Sequence, residues 1–294
     1  MTSESAGWER AATSADLTVW LPGEVPVYFQ KLRATDEAGF RMGARGFDAS
    51  EEPVHRVVIA EDFYLGTFPV TQAQYRALAV AGLDPSPSGF AGDLRPVEQV
   101  SWHHAEQWCQ GLEKRWSGLR HESRDGSRVT VKRLGLPWEA EWEYACRAGT
   151  ETQYCSGDGE TALREVGWFE GNVPKKETQP VGRKAPNGWE IYDLHGSVVE
   201  WCADVYDANA YRKRPDGWNA REWCVDDAGK DALYRDDDHR RRKDPDRVLR
   251  GGSWYLEPWW CRSAFRVWWG PGNRYHDLSF RVCLVPGPAK PPAR

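Results

Sequence analysis

Arg250-Gly-Gly-Ser-Trp254, followed by Arg262-Ser-Ala-Phe-Arg266 and then Phe280-Arg281, is the stretch on which the fold of this chain turns. Gly251 and Gly252 ahead of Ser253 and Trp254 permit a tight backbone bend that residues with side chains could not share. Arg262, Arg266 and Arg281 sit among small and aromatic residues, a setting that reads as interior. An unpaired buried guanidinium is prohibitively costly, so each needs a carboxylate or several carbonyls. Glu141, Glu143 and Glu200 are the natural candidates, and the six residues read as a scaffold network rather than a catalytic set.

Working toward the N-terminus, Pro137 precedes a helix with Trp138, Trp142 and Ala145 or Cys146 turned inward and Gly149 as its stop. A helix beginning at the N-cap Ser101 carries Ala105, Trp108, Cys109, Leu112 and Trp116 at three- and four-residue steps. Thr71-Gln-Ala-Gln74 is a capping box, and Tyr75, Leu78 and Ala79 share a face beyond it. Val54-His-Arg-Val-Val-Ile-Ala60 reads as a strand. Residues 1–38 read as a weakly structured lead-in, 39–288 as one α+β domain and 289–294 as a tail.

A hydrophobic content of 40% against 28% charged residues is globular rather than disordered. A net charge of -5 excludes general attraction to nucleic acid or anionic membrane. No apolar run is long enough for a membrane span, and Met1 to Ala12 lacks the apolar core of a secretion signal, so the cytoplasm is expected. Seven cysteines without a CxxC spacing fit neither a disulfide framework nor a thiolate zinc site, and Cys109, Cys146 and Cys202 read as half-buried thiols. His103 and His104 are adjacent on a helix and point apart, which is no zinc pair. The mixed-charge stretch 226–246 reads as a solvated loop.

The blocks occur in the order of a known family. Phe40-Arg-Met-Gly43 with Glu52-Pro-Val-His55, Pro69-Val-Thr71, Val100-Ser-Trp102, Arg133-Leu-Gly-Leu-Pro137 with Glu139-Ala-Glu-Trp-Glu-Tyr-Ala145, Ile191-Tyr-Asp-Leu-His-Gly196 with Val199-Glu-Trp201, and the C-terminal blocks together resemble the formylglycine-generating-enzyme-like (sulfatase-modifying-factor) group. The resemblance implies its C-type-lectin-like fold. Members that modify sulfatases hold Cu(I) on a Cys-x4-Cys pair after the Gly-Gly-Ser block, a sensible ligation for a soft ion. Here that segment contains Cys261 alone, so copper is not expected. Members that build sulfur-containing histidine betaines draw iron ligands from a further helical domain, which is not expected within the N-terminal 40 residues. Some members bind calcium, and the matching positions are Asp193, the Gly196 and Val198 carbonyls, and Glu200, with Ser197 where the group has Asn. The alternative is a loop held by hydrogen bonds alone, in which His195 serves as a hydrogen-bonder.

The 17 tryptophans concentrate a further signal between Trp254 and Ser279. Aromatic or idiosyncratic residues alternate there with the framework arginines, which resembles the variable region of retroelement-diversified proteins built on the same fold. The expected ligand-binding positions are Tyr255, Leu256, Glu257, Trp259, Trp260, Phe265, Trp268, Trp269, Tyr275, His276, Asp277 and Ser279. In the paired Trp259-Trp260 and Trp268-Trp269, neighbours face opposite sides, so at least one of each pair is expected outside. The resulting expectation is a non-catalytic domain that recognises a protein or other macromolecule. The alternative is a copper-dependent oxidase acting on a protein cysteine.

Overall fold

The computed structural model describes residues 6–214, 216–219 and 244–288. Most of the charged stretch 226–246, Cys224 and the tail 289–294 lie outside the described residues. Among the described residues no helix is long and apolar enough to cross a membrane.

The main sheet has six strands, in the order β6 (Arg120–Ser123), β1 (Leu17–Leu21), β2 (Val25–Leu32), β5 (Phe63–Gly66), β13 (Cys283–Pro286) and β7 (Val131–Gly135). Residues 17–32, expected as a loose lead-in, are thus a correction: β1 and β2 form an antiparallel hairpin at the heart of this sheet. The hairpin runs through a turn at Pro22-Gly23-Glu24, with Leu17, Val19, Leu21, Val27 and Phe29 buried. A four-stranded sheet has the order β11 (Val267–Trp269), β10 (Arg247–Arg250), β8 (Val199–Val205), β12 (Leu278–Ser279). A third pairs β3 (Phe40–Met42), β4 (His55–Val58) and β9 (Trp218–Asn219).

Helix α1 (Ala6–Ser14) packs its Trp8 on Tyr28 and Phe68. Helix α2 (Gln72–Leu78) starts at the expected capping box, with the Gln74 amide donating to Thr71 Oγ1. It stops at Ala79, which turns left-handed and stays exposed instead of continuing the buried face. Helix α3 (Trp102–Arg115) is capped by Ser101, whose hydroxyl accepts from the His104 amide at 3.2 Å. Its Trp108 is fully buried, and the indole N–H donates to the Tyr75 carbonyl at 3.2 Å. Trp201 on β8 solves the same problem by donating to the Val100 carbonyl at 3.0 Å. A buried indole therefore keeps its hydrogen bond while contributing about 1.5–3 kcal/mol or more through its apolar area.

Helix α4 (Glu139–Arg147) buries Trp142, Ala145 and Cys146, while Trp138 sits at its N-cap half-buried rather than inside. Helices α5 (Gly159–Val166) and α6 (Ala210–Lys213) are short. Cys109, Cys146 and Cys202 are fully buried, deeper than the sequence suggested.

Candidate functional site

The site grows from the bend at Gly251-Gly252. Both glycines have positive φ, and a Cβ on Gly252 would meet Cys261 Sγ at 2.7 Å and the Trp260 carbonyl oxygen at 2.8 Å. The missing side chain lets a 3-10 turn, Pro258–Cys261, fold back over the bend. Cys261 is consequently fully buried, and burial pushes its thiol up to about 12.

Beyond the turn, three framework arginines grip the backbone from inside. Arg262 binds Glu51 through two hydrogen bonds, at 2.8 and 2.7 Å, and its Nε donates to the Trp259 carbonyl at 2.9 Å. Arg250 pairs with Glu143 and donates to the Ser263 and Ala264 carbonyls at 2.8 and 2.9 Å. Arg266 takes both oxygens of Glu139, at 2.7 and 2.8 Å. Burial opposes ionisation of Glu139, but Arg266 and Arg250 hold its carboxyl down at about 2. The expected network exists with different partners. Arg281 does pair with Glu200, but Arg266 takes Glu139 and Arg262 takes Glu51, while Glu141 serves Arg133 and Glu143 serves Arg147 and Arg250.

With the backbone held from inside, alternate side chains point out. Tyr255, Trp259, Trp268 and Tyr275 are exposed by 53%, 43%, 46% and 42%. Glu257 and His276 are exposed, while Leu256, Trp260 and Trp269 are half-buried, so each tryptophan pair has one exposed member. Phe265, Asp277 and Ser279 are buried rather than displayed on the surface. Phe265 supports Trp259 and Trp260 from beneath, with ring centroids 5.3 and 4.7 Å away. Ser279 lies in β12 beside β8, and Asp277 accepts from Ser253 Oγ at 2.7 Å. The rings gather in separate groups: Trp259, Trp260 and Phe265; Trp269 and Tyr275; Trp268 on Tyr206; and Tyr255 with Trp254, His276 and Phe90. Phe90, Tyr206 and Glu98 were missing from the sequence reading. They come from distant loops, and no local pattern marks them.

Of the expected calcium positions, Glu200 is already engaged as folded. Both Glu200 oxygens are taken, by Arg281 Nε and Nη2 at 2.7 Å each and by the Trp142 indole at 2.9 Å. Asp193 Oδ2 accepts from the Gly182 amide at 2.8 Å, its Oδ1 has no hydrogen-bond partner, and burial pushes the carboxyl up to about 6. The Gly196 carbonyl accepts from the Val198 amide at 2.9 Å. His195 Nε2 accepts from the Cys155 amide at 3.0 Å, which leaves Nδ1–H to donate to the Cys261 carbonyl at 2.9 Å. Hydrogen bonds and the Arg281 guanidinium engage most of the loop, while Asp193 Oδ1 and Ser197 Oγ are buried without a hydrogen-bond partner. Among the described residues no three His, Cys, Asp or Glu side chains converge as metal ligands.

Comparison with known proteins supplies the lineage. Residues 33–285 match the model of the sulfatase-modifying factor enzyme 1-like domain. The chain is 30% identical over 214 residues to the formylglycine-generating enzyme of Mycobacterium tuberculosis, covering 57% of this chain and 71% of that one. It is 31% identical over 180 residues to the chaperone protein LppX of Paenibacillus barcinonensis, covering 49% of this chain and 63% of that one. Against other curated relatives the chain spans about half of their length. Among solved structures, variable protein 1 of Treponema denticola superposes with a TM-score of 0.70 at 25% identity, over 92% of this chain and 99% of that one. The chain belongs to the sulfatase-modifying factor enzyme 1-like family and has the formylglycine-generating-enzyme-type, C-type-lectin-like fold.

Proposed function

We propose that this protein is a non-catalytic ligand-binding member of its family, which displays the aromatic 255–279 face to a protein or other macromolecule. One observation carries the reading. Buried arginine–glutamate pairs fix the backbone of residues 259–266, and the side chains left outside are large, rigid aromatics. Such a division lets the displayed side chains vary without disturbing the fold, as retroelement diversification of this face requires. Aromatic side chains supply contact area at small entropic cost, and tryptophan and tyrosine dominate binding hot spots. The likeness to a variable protein of Treponema denticola over nearly the whole chain supports the same reading.

The second reading is a copper-dependent oxidase acting on a protein cysteine, favoured by the identity to the Mycobacterium tuberculosis enzyme. Cys261 is poorly suited to it, being fully buried with its thiol held protonated. A Cu(I) titration against a competing chelator parts the two. Recognition predicts no stoichiometric high-affinity site, whereas one tight copper per chain, abolished by Cys261→Ser, favours the oxidase.

A further inference from the structure

Buried carboxylates in this protein almost all have a cation of their own. Glu51, Glu139, Glu141, Glu143 and Glu200 each face an arginine, Asp204 lies 3.6 Å from Arg214, and Asp207 meets Lys213. Asp193 makes no direct pair but lies in the field of Arg281 and Lys184. Glu98 and Asp277 break the pattern. They are 0% and 5% exposed, and neither has an ion pair among the described residues. Glu98 Oε1 accepts from the Phe90 amide at 2.9 Å, while its Oε2 has no partner. Asp277 has the Ser253 hydroxyl and the nearby His276 ring. Burial raises both carboxyls; at Glu98 the Phe90 and Gly89 amides and the Gln99 side chain offset part of this, and the charge of Asp277 adds to it. A buried carboxylate without a counter-charge is a costly arrangement that a bound cation would relieve.

The surroundings suit such a cation. Phe90, Trp254, Tyr255 and His276 form one ring group, with centroids 5.3–6.2 Å apart, and it is tied to the carboxylates through the Phe90 amide on Glu98 and through Ser253 and His276, the chain neighbours of Trp254 and Asp277. Aromatic faces attract organic cations, most strongly where water is excluded. Tyr255 and His276 are exposed, whereas Trp254 is buried with an unpartnered indole N–H. Among the described residues no third His, Cys, Asp or Glu side chain converges with the pair as a metal ligand. The two guanidinium sites at Glu51 and Glu200 each use both carboxylate oxygens. Glu98 offers one oxygen, which fits the compact ammonium better than the two-pronged guanidinium.

We propose that Glu98 and Asp277 are the floor of a recess that takes one organic ammonium group, the side chain of a lysine on the partner, flanked by the Phe90, Trp254, Tyr255 and His276 rings. The proposal rests on the reading of residues 255–279 as a display face and names the chemistry that face takes up.

The test uses the full chain and three probes: the capped lysine N-acetyl-lysine methylamide, its Nε-acetylated counterpart, and butylammonium. The readout is the Trp254 indole resonance, assigned with Trp254→Phe. The capped lysine is expected to shift that resonance saturably in the millimolar range, and the acetylated probe to leave it in place. Glu98→Gln keeps the acceptor for the Phe90 amide and so keeps the fold, yet is expected to weaken binding about tenfold, as is Asp277→Asn. Equal responses to the charged and acetylated probes, or undiminished binding by Glu98→Gln, overturn the recess. Butylammonium binding as tightly as the capped lysine overturns the assignment to a partner's lysine in favour of a free amine. Trp259 and Trp268 belong to other ring groups, so Trp259→Ser with Trp268→Ser leaves the lysine response unchanged. Failure of the display-face reading therefore registers separately, as macromolecular binding insensitive to those two substitutions.

Discussion

The Arg262 guanidinium binds both carboxylate oxygens of Glu51, 211 residues away in sequence, while its Nε holds the Trp259 carbonyl. One side chain thus anchors the displayed turn to a 3-10 segment, Ala49–Glu51, near the start of the domain. Removing one member of a buried ion pair strands the other charge, at a cost of about 3–5 kcal/mol. Glu51→Gln is therefore expected to lower the urea midpoint by a corresponding amount. Arg262→Lys should rescue little of an Arg262→Ala loss, because an ammonium cannot span both oxygens and the carbonyl at once. A midpoint unchanged in Glu51→Gln would remove the pair from the framework.

Gly252 makes a second point of control. Its φ of +65° and the 2.7 Å approach of Cys261 Sγ leave no room for a methyl group. Gly252→Ala is expected to destabilise the fold by about 1–3 kcal/mol through overpacking and strain. It should also change the fluorescence of the Trp259–Trp260 pair, since the Trp260 carbonyl is the other atom displaced. Thermal melts and emission spectra of the variant check both effects.

The parts of this architecture that were legible in the sequence are those set by local chemistry. The Thr71–Gln74 box, the Ser101 cap and the Gly251-Gly252 bend are each decided by a few adjacent residues. The arginines could be recognised as buried, but their partners could not be chosen. Glu51 reaches Arg262 through the folding of a distant segment, and within the 139–145 block the sequence does not tell which of three glutamates faces Arg266. The β1–β2 hairpin was missed although its signal is present: apolar residues alternate on both sides of Pro22-Gly23. In the aromatic region, alternation identified an exposed member of each tryptophan pair. Phe265 was misplaced because it lies in a wholly buried run, Cys261 to Arg266, where the surface alternation stops, and Glu98 was missed because nothing near it in sequence suggests Asp277 as a neighbour.

Calcium provides a third check. With Glu200 neutralised by Arg281, millimolar calcium is expected to leave the melting temperature where EGTA leaves it, within about 1 °C, since only a ligand bound to the native state raises it. A calcium-dependent rise of several degrees, lost in Asp193→Asn, would show instead that the loop reorganises around the ion.

The unpaired carboxylates give a pH signature of fixed sign. Burial raises the folded-state pKa of Glu98 and of Asp277 above the unfolded value of about 4. Their contribution therefore favours folding below about pH 4 and is lost as pH rises through the raised folded-state values. Glu98→Gln removes that loss, so the variant should melt above the wild type at pH 7, by about 2–4 °C for each kcal/mol recovered. The difference should shrink toward zero near pH 4. A variant that melts lower at pH 7 would mean that Glu98 already has a counter-charge.

The account stands or falls on whether the exposed aromatics bind anything. The measurement is the affinity of the full chain for its best ligand from a panel of peptides, proteins and glycans, compared with the Trp259→Ser, Trp268→Ser double variant at matched stability. Recognition by this face predicts that the double variant folds and loses at least about tenfold in affinity, as removal of exposed tryptophan anchors does at hot spots. Equal affinity in the two proteins would contradict it.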